Sequence, residues 1–341
     1  MKIWFDILTP KQLLFFGPMM KKLRKNHKIL CTSRDYSQVA DLARLKHVNL
    51  LLIGRHGGFG RKEKLRASTQ RIDRLTDVVS RFSPDLVISF CSPEAARVAF
   101  GLGIKHVAFS DSPHAEAVMR LTVPFVQKLL IPWIIPKGEF VKYGISKNNI
   151  IQYKAIDAAV IAKDKSNIKL INIDKQKKTI VIRPEESAAA YALGKTSISN
   201  NIISEFSKEK EKYNVLVLGR YKPQTDKIKK EFGDKVKIIS RVVDGKSLLS
   251  VTDLFIGSGG TMTAEAALMG VPTISYDAIP NHIEKYLVKM GLARRETNPK
   301  NMLRAAKKML DEYSVSRAKA KKVLNSMEDP FTKLMLAIKS L

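Results

Sequence analysis

The sequence has little cysteine and no long apolar run. Cys31 and Cys91 are the two cysteines among 341 residues, which argues against a disulfide framework and is typical of a reducing compartment. A membrane-spanning helix needs roughly 18–20 apolar residues, whereas the apolar segment 129–136 is short and holds two prolines. The N-terminal residues MKIWFD lack the pattern of a signal peptide. These absences predict a cytoplasmic protein.

Repeats and metal-binding motifs are also missing. The sequence shows no solenoid or propeller period, no low-complexity tract and no Asp-x-Asp pair, and its six histidines are scattered. A hydrophobic content of 45% over 341 residues is sufficient for two domains with cores of their own. We therefore expect a globular protein without a bound metal.

Acidic residues are scarce relative to basic ones. The chain has 60 Lys and Arg against 32 Asp and Glu, a formal net charge of +28. Such a charge attracts nucleic acid, anionic lipid or phosphorylated substrates, although solvated helix faces explain it equally well. One basic cluster, within residues 11–28, contains Lys21, Lys22, Arg24 and Lys25 and favours contact with an anionic membrane. Nucleic-acid binding is less favoured, because an RNP-type strand and zinc-finger spacing are absent.

Strand and helix patterns alternate along both halves of the chain, which predicts βαβ units and parallel sheets. Strands are expected at 3–7, 28–32, 48–53, 86–89 and 106–110, and then at 179–183, 215–218, 236–240, 254–256 and 273–276. A polar, lysine-rich stretch at 157–178 marks the boundary between the two halves of the chain. We expect an acceptor-side domain at 1–160, a nucleotide-sugar domain at 175–328 and a last helix within 329–341 that packs back on the first. The cleft between two such domains is the expected site.

The segment 253–274 carries the most chemical information. A strand pattern ends in a small-residue turn, and a helix pattern then begins. The turn consists of Ser258, Gly259, Gly260 and Thr261. The free amides and the dipole at the start of such a helix form an anion site that suits a diphosphate. Glu265, one helical turn further on, is expected on the exposed side, where it accepts hydrogen bonds from two ribose hydroxyls.

This segment resembles the donor-nucleotide motif of GT-B glycosyltransferases and of UDP-N-acetylglucosamine 2-epimerases. Its spacing from Gly259 to Glu265 resembles the lipid-linked N-acetylglucosaminyltransferases. Nearly the whole chain resembles a largely archaeal, GT-B-like family classed as a domain of unknown function. The matching stretches are DILTPKQ (6–12), IGRHGG (53–58), SDSPHA (110–115) and RPEE (183–186). The resemblance implies two Rossmann-like domains and a UDP-sugar donor substrate, with no permanently bound cofactor.

A second resemblance concerns catalysis. The run HAEAVMR (114–120) resembles the H-x-E-A-x-x-R segment of the 2-epimerases. That resemblance implies that Glu116, helped by Asp111 and His114, moves the proton at C2 of the sugar. Two other epimerase segments, His-Arg-Arg-Glu-Asn and Gly-Asp-Thr, have no counterpart here. Glu116 and Arg120 are equally typical of an i,i+4 pair on a solvated helix face.

A sugar transferase needs a general base for the acceptor hydroxyl, and His114, Asp111 and Asp6 are the candidates. Arg183 and Arg220, each at a predicted strand end, are expected to meet the donor diphosphate. The apolar segment 121–136 is interpreted as core, or alternatively as a membrane-docking patch.

Three functions therefore stay open. The leading hypothesis is a UDP-sugar glycosyltransferase of envelope or surface-glycan synthesis, with possible peripheral membrane contact. The second is a non-hydrolysing UDP-N-acetylhexosamine 2-epimerase. The third is a nucleotide- or nucleic-acid-binding module without catalysis.

Overall fold

The chain forms two compact units in a computed structural model. The described residues are 1–35, 37–58, 60–164, 173–185, 198–219, 222–239, 243–276, 280–311 and 316–341. The first unit comprises Met1–Val160 and Glu328–Leu341, and the second comprises Ile161–Met327. Within the described ranges, we find no helix that is long and apolar enough to cross a membrane.

The first unit contains a parallel sheet of seven strands. They are β1 (Lys2–Asp6), β2 (Lys28–Asp35), β3 (Leu51–Arg55), β4 (Leu86–Ser89), β5 (Lys105–Phe109), β6 (Lys128–Pro132) and β7 (Ile150–Tyr153). Their spatial order is β3-β2-β1-β4-β5-β6-β7, and each neighbouring pair is parallel. The order reverses between β1 and β4, where the crevice of a doubly wound sheet lies.

Helices connect these strands and cover the sheet. They are α1 (Pro10–Leu23), α2 (Ser37–Leu45), α3 (Arg61–Phe82), α4 (Pro93–Gly101), α5 (Glu116–Arg120), α6 (Gly138–Val141) and α7 (Asp157–Lys163), with α15 (Pro330–Lys339) at the end of the chain. The Thr9 side chain caps α1, and Pro10 occupies its first turn, where a missing N–H costs no helical hydrogen bond. The last helix, α15, packs against β6 and β7.

Aromatic side chains fill the core of the first unit. Trp4 and Phe5 on β1 are completely buried. The rings of Phe15 and Phe16 on α1 meet Phe109 on β5 edge-on, with centroids 5.2 and 5.6 Å apart. Edge-to-face contacts of this kind stabilise a core beyond the burial of their area, so they fix α1 against the sheet directly after β1.

The second unit contains a parallel sheet of six strands. They are β8 (Lys178–Arg183), β9 (Tyr213–Leu218), β10 (Lys237–Ile239), β11 (Leu254–Gly257), β12 (Thr273–Ser275) and β13 (Arg294–Arg295). Their order is β10-β9-β8-β11-β12-β13. All neighbours are parallel, and the order in which the strands were added reverses between β8 and β11. Apolar residues of its strands, such as Ile180, Val217 and Ile256, form one core cluster with α8, α9 and α13. These helices are α8 (Ile198–Ser207), α9 (Lys222–Phe232) and α13 (Pro299–Asp311).

Four further helices complete this unit. They are α10 (Gly245–Ser250), α11 (Thr261–Leu268), α12 (His282–Lys289) and α14 (Ser316–Asn325). Every residue of α11 from Met262 to Leu268 is buried, because α10, α12 and α14 pack against it. The predicted fold of two parallel α/β domains is confirmed. The segment 121–136, whose interpretation was open, contributes the buried strand β6 to the core.

Candidate functional site

The turn after β11 lies at the point where the strand order of the second sheet reverses. Gly257, the last residue of β11, is paired in register with Arg183, the last residue of β8. The carboxyl ends of the two central strands therefore meet at this point, which is where α/β sheets bind ligands. Ser258 begins the turn and donates a hydrogen bond from its hydroxyl to the Pro184 carbonyl oxygen at 3.3 Å. The sequence-predicted turn therefore stands at the ligand-binding edge of this sheet.

Two glycines give the turn its shape. Gly259 and Gly260 have φ angles of 84° and 85°, a left-handed conformation that residues with a Cβ rarely adopt. A Cβ added to Gly260 would meet no described atom within 4 Å. Gly260 precedes α11 and has no side chain to cap it. The first amides of α11 thus lack intrahelical partners, as an anion site requires.

The Glu265 side chain lies behind this turn and is buried, with 6% of the residue exposed. Our expectation of an exposed position was therefore wrong, because packing surrounds α11 on every side after its first turn. The carboxyl lies next to the start of α10: a Cβ added to Gly245 would be 3.5 Å from Glu265 Oε2. Among the described residues, no side chain or backbone group forms a hydrogen bond or ion pair with this carboxyl.

Burial changes the chemistry of this carboxyl. It raises the pKa of Glu265 to about 8, opposed by the charge of Arg183 and reinforced by that of Asp244. Asp244 is itself committed to capping α10, since it accepts hydrogen bonds from the amide and the hydroxyl of Ser247 at 2.9 and 2.8 Å. Glu265 is accordingly a neutral acid at pH 7, which can donate one hydrogen bond and accept others.

The two arginines predicted to meet the diphosphate differ in what the structure describes. Arg183 is half-buried at the end of β8, and its guanidinium lies 3.5 Å from the Met262 sulfur on α11. Its backbone carbonyl accepts a hydrogen bond from the Tyr276 hydroxyl at 2.9 Å. Arg183 therefore lies beside the glycine turn, whereas Arg220 lies outside the described residues.

In the first unit, Asp6 ends β1 and is completely buried. Arg71 on α3 binds both of its oxygens, at 2.5 and 3.2 Å. The hydroxyls of Thr32 and Ser92 each donate a hydrogen bond to it at 2.6 Å. These contacts join β1 to β2, α3 and the start of α4. Asp6 is thus a buried carboxylate with partners on both oxygens, and its role as a base stays a prediction.

Asp111, two residues after the end of β5, belongs to a cluster that our sequence analysis missed. Lys11 on α1 places its ammonium 2.5 Å from Asp111 and 2.9 Å from Asp157. The Tyr153 hydroxyl, at the end of β7, donates a hydrogen bond to Asp157 at 2.5 Å. Asp157 opens α7 and is 1% exposed, although we placed it at the start of a polar linker. The position of Asp157 at the start of a helix that follows a strand was the feature that could have indicated this cluster.

His114 and Glu116 follow Asp111 along the chain but are exposed. Arg120 binds the Glu116 carboxylate at 2.8 Å across one turn of α5. This is the i,i+4 pair that stood as the alternative to catalysis. Two thirds of each side chain is exposed, so the pair contributes little to stability. In the part of the chain that the structure describes, no group of three or more His, Cys, Asp or Glu is arranged to hold a metal ion.

Comparison with known proteins identifies the family. The family described as a protein of unknown function (DUF354) matches residues 1–339, and the chain therefore belongs to it. The chain is also 30% identical over 298 residues to the uncharacterized protein MJ0665 of Methanocaldococcus jannaschii. That match covers 84% of this chain and 85% of the relative.

Two solved structures with a similar fold are a UDP-GlcNAc 2-epimerase and a forosaminyltransferase. UDP-GlcNAc 2-epimerase from Neisseria meningitidis, solved with UDP-GlcNAc bound, has a TM-score of 0.75 at 17% identity, and the match covers 99% of each chain. The spinosyn forosaminyltransferase SpnP has a TM-score of 0.65 at 13% identity, again over 99% of each chain. At these identities the likeness concerns the fold, and it confirms the GT-B architecture.

Proposed function

We propose that this protein is an enzyme that binds a UDP-sugar in its second unit and transfers the sugar to a hydroxyl acceptor in envelope or surface-glycan synthesis. The observation that carries this proposal is Glu265. Glu265 is 6% exposed as a residue, side chains so placed normally have hydrogen-bond partners, and the described residues supply none to its carboxyl group. It lies beside the glycine turn at the reversal point of a parallel sheet. A ligand with hydroxyl groups would supply those partners.

The diphosphate of the donor would occupy the turn from Ser258 to Thr261. The first amides of α11 would donate hydrogen bonds to its oxygens, and the positive end of the helix dipole would favour its charge. The turn leaves room above Gly260 for the phosphate groups. Arg183 adds a positive charge at the end of the neighbouring strand. Arg220 remains a proposal from the sequence for the same role.

The ribose would bind Glu265. Because this carboxyl is neutral at pH 7, it would accept a hydrogen bond from one ribose hydroxyl and donate one to the other. Such recognition differs from the ionised carboxylate that the sequence suggested. It also avoids placing a buried negative charge next to the diphosphate, which would weaken binding.

Asp111 is the candidate base for the acceptor hydroxyl. Its carboxylate is partly exposed, with 12% of the side chain accessible, whereas Asp6 is enclosed. His114 is exposed and remains the alternative base. This assignment keeps the proton-accepting group in the first unit and the nucleotide in the second.

An epimerase is the second candidate function. It is supported by the likeness to the Neisseria meningitidis epimerase, which extends over 99% of both chains. In that case Glu116 would exchange its ion pair with Arg120 for contact with the sugar and would move the proton at C2.

Contact with a membrane is a further part of the proposal. Lys21, Arg24 and Lys25 at the end of α1 are exposed, and they would attract anionic lipid headgroups. Lys22 is less available, because it forms an ion pair with Asp329 at 2.5 Å.

Calorimetric titration with UDP tests the nucleotide site. Loss of two hydrogen bonds in Glu265→Ala should cost about 1–3 kcal/mol, which weakens binding by about 5- to 150-fold. Glu265→Gln, which keeps a donor and an acceptor, should bind almost as the wild type does. Thr261→Glu places a negative charge at the helix start, where it suits the dipole but repels a diphosphate, and should abolish binding.

Glu231→Ala removes an exposed acid of the same unit and serves as the control. Unchanged UDP affinity in both Glu265→Ala and Thr261→Glu would contradict the proposed site. UDP release then separates the two reactions: a transferase liberates free UDP from UDP-GlcNAc with each turnover, while an epimerase returns the nucleotide-sugar and leaves no free UDP.

A further inference from the structure

A buried charge cluster lies at the carboxyl edge of the first sheet, and neither resemblance assigns a role to its members Lys11 and Asp157. Lys11 comes from the first turn of α1, Asp111 follows β5, and Asp157 opens α7 after β7. The Lys11 ammonium contacts both carboxyl groups, at 2.5 and 2.9 Å. It also lies 4.2 Å from the centre of the Phe90 ring. Three separate strand ends thus deliver ionisable groups to one point.

The charges of this cluster do not balance when both carboxyl groups are ionised. One ammonium would then face two carboxylates, and a net negative charge would be buried, which is costly in a protein interior. A single proton shared by the two carboxyl groups removes that excess. The cluster is then neutral, and all of its groups keep their partners.

The surroundings of the two carboxyl groups also favour a single shared proton, and they favour its residence on Asp157. Burial raises the pKa of Asp157 to about 7, with Lys11 lowering it and Asp111 raising it further. Burial also raises the pKa of Asp111, but the ion pair with Lys11 outweighs it and leaves that pKa below its ordinary value. The other titratable groups that face the pair are Tyr153 and Cys91, and burial raises the pKa of each, so both are neutral.

Exposure distinguishes the two carboxyl groups. The Asp111 side chain is 12% exposed and that of Lys11 is 18% exposed, whereas that of Asp157 is 2% exposed. Asp111 also accepts a hydrogen bond from the Ser112 hydroxyl at 2.9 Å. Asp111 is therefore the more accessible of the two carboxyl groups.

We propose that Asp111 and Asp157, bridged by Lys11, form a proton-accepting pair for a hydroxyl-bearing acceptor, with Asp111 as the catalytic base and Asp157 as the positioning residue that gives the pair its affinity for a proton. This inference rests on the proposed glycosyl transfer. Asp111 alone beside Lys11 would be too weak a base. The second carboxylate brings the pair close to neutral pH, where a general base is most effective.

The transfer step follows from this arrangement. The acceptor O–H bond breaks as its oxygen forms a bond to the anomeric carbon of the sugar. The bond from that carbon to the diphosphate oxygen breaks, and UDP leaves with the electron pair. The reacting form is the pair without its shared proton; it takes up the acceptor proton through Asp111, which makes the cluster neutral, and holds it until solvent removes it. Tyr153 keeps Asp157 oriented toward Lys11 through its hydrogen bond.

Carbon-13 NMR of labelled aspartate carboxyl groups tests the pair directly, without any sugar donor. Wild-type protein should show one carboxyl signal that titrates near pH 7. Asp157→Asn should abolish that titration and leave Asp111 titrating below its ordinary pKa. Tyr153→Phe removes a hydrogen bond that lowers the Asp157 pKa, so it should move the titration to higher pH. Asp41→Asn, at an exposed pair with Arg44, is the control.

The pH dependence of UDP release from UDP-GlcNAc gives the second readout. The acidic limb of this pH–rate profile should move to lower pH in Asp157→Asn and to higher pH in Tyr153→Phe. A loss of folded protein would not shift the profile in opposite directions. Asp111→Asn should reduce the rate about 100-fold or more, the usual contribution of a general base.

The outcomes separate this inference from the proposed function. Wild-type protein without an aspartate that titrates near neutral pH would overturn the pair, even if UDP binds. An unmoved acidic limb in both variants would overturn its catalytic role. A near-neutral carboxyl titration in a protein that neither binds UDP nor releases it would support the pair and refute the proposed nucleotide-sugar function alone.

Discussion

Replacing Glu265 should change how the stability of the protein depends on pH. In the folded protein the pKa of this side chain is about 8, raised from 4.5 by burial. The folded state therefore holds the proton more tightly than the unfolded state does. The stabilisation is complete below pH 4.5 and is lost as the pH rises through 8.

The pKa difference fixes the magnitude. Each tenfold change in a protonation constant is worth about 1.4 kcal/mol, so raising the pKa from 4.5 to about 8 corresponds to about 5 kcal/mol in total. Between about pH 5 and about pH 9, linkage predicts a loss of about 4 kcal/mol from this group. Because Glu265 is 6% exposed, solvent screens little of this effect.

Glu265→Gln preserves the shape of the side chain and does not titrate. All other groups ionise alike in both proteins, so the difference between their unfolding free energies isolates Glu265. We expect the variant to gain about 4 kcal/mol relative to the wild type over this pH range. For a unit of this size that corresponds to roughly 8–16 °C in the unfolding midpoint, which calorimetry or circular dichroism measures.

The exposed Glu231 provides the matched control, and Glu231→Gln should follow the wild type at every pH. If the Glu265→Gln and wild-type curves run parallel from acid to alkaline pH, Glu265 is ionised or solvated in the folded protein. The argument for a buried, neutral ribose ligand would then be refuted.

Two further predictions concern groups outside the nucleotide site. Asp6→Asn should destabilise the protein by about 3–5 kcal/mol in urea unfolding, because it leaves the Arg71 guanidinium buried without a full counter-charge; a stable variant that has lost only UDP release would instead make Asp6 a catalytic base. Changing Lys21, Arg24 and Lys25 to Gln should weaken binding to anionic vesicles by about 1 kcal/mol per charge. Equal sedimentation of the wild type with neutral and anionic vesicles would contradict the membrane contact.

Apolar periodicity was sufficient to predict most of the sheet. Strand β4 was predicted at the residues it occupies, because all four are buried and apolar or small. Strand β3 was predicted three residues too early. It lies at the edge of its sheet, where Leu51 and Leu52 are 45% and 42% exposed. Hydrophobicity carries less information where one side of a strand has no neighbour.

The glycine turn was also predictable, since its conformation is a local property. Two consecutive positive φ angles, at Gly259 and Gly260, demand residues without a Cβ. The burial of Glu265 was not predicted, because it depends on how α10, α12 and α14 pack around α11. Glu265 is the one charged residue of α11, and a helix without a polar face is expected to be buried.

The cluster of Lys11, Asp111 and Asp157 was even less predictable from sequence patterns. Lys11 and Asp111 are 100 residues apart, and Asp157 lies 46 residues further on. No spacing rule connects them, and a lysine beside apolar residues reads as surface charge. What brings them together is the parallel sheet, which delivers the residues after β1, β5 and β7 to one edge.

Glu265 and Asp157 are both buried among the described residues and have raised pKa values, but they differ in their contacts. Asp157 has its partners within the protein, the Tyr153 hydroxyl and the Lys11 ammonium. Both contacts come from within the first unit, one to each carboxyl oxygen, and under our proposal the change at Asp157 is the gain or loss of its proton. Glu265 has no such partner among the described residues, and under our proposal a ligand supplies the missing contacts. Under the two proposals, the same burial serves proton transfer in one unit and recognition of hydroxyl groups in the other.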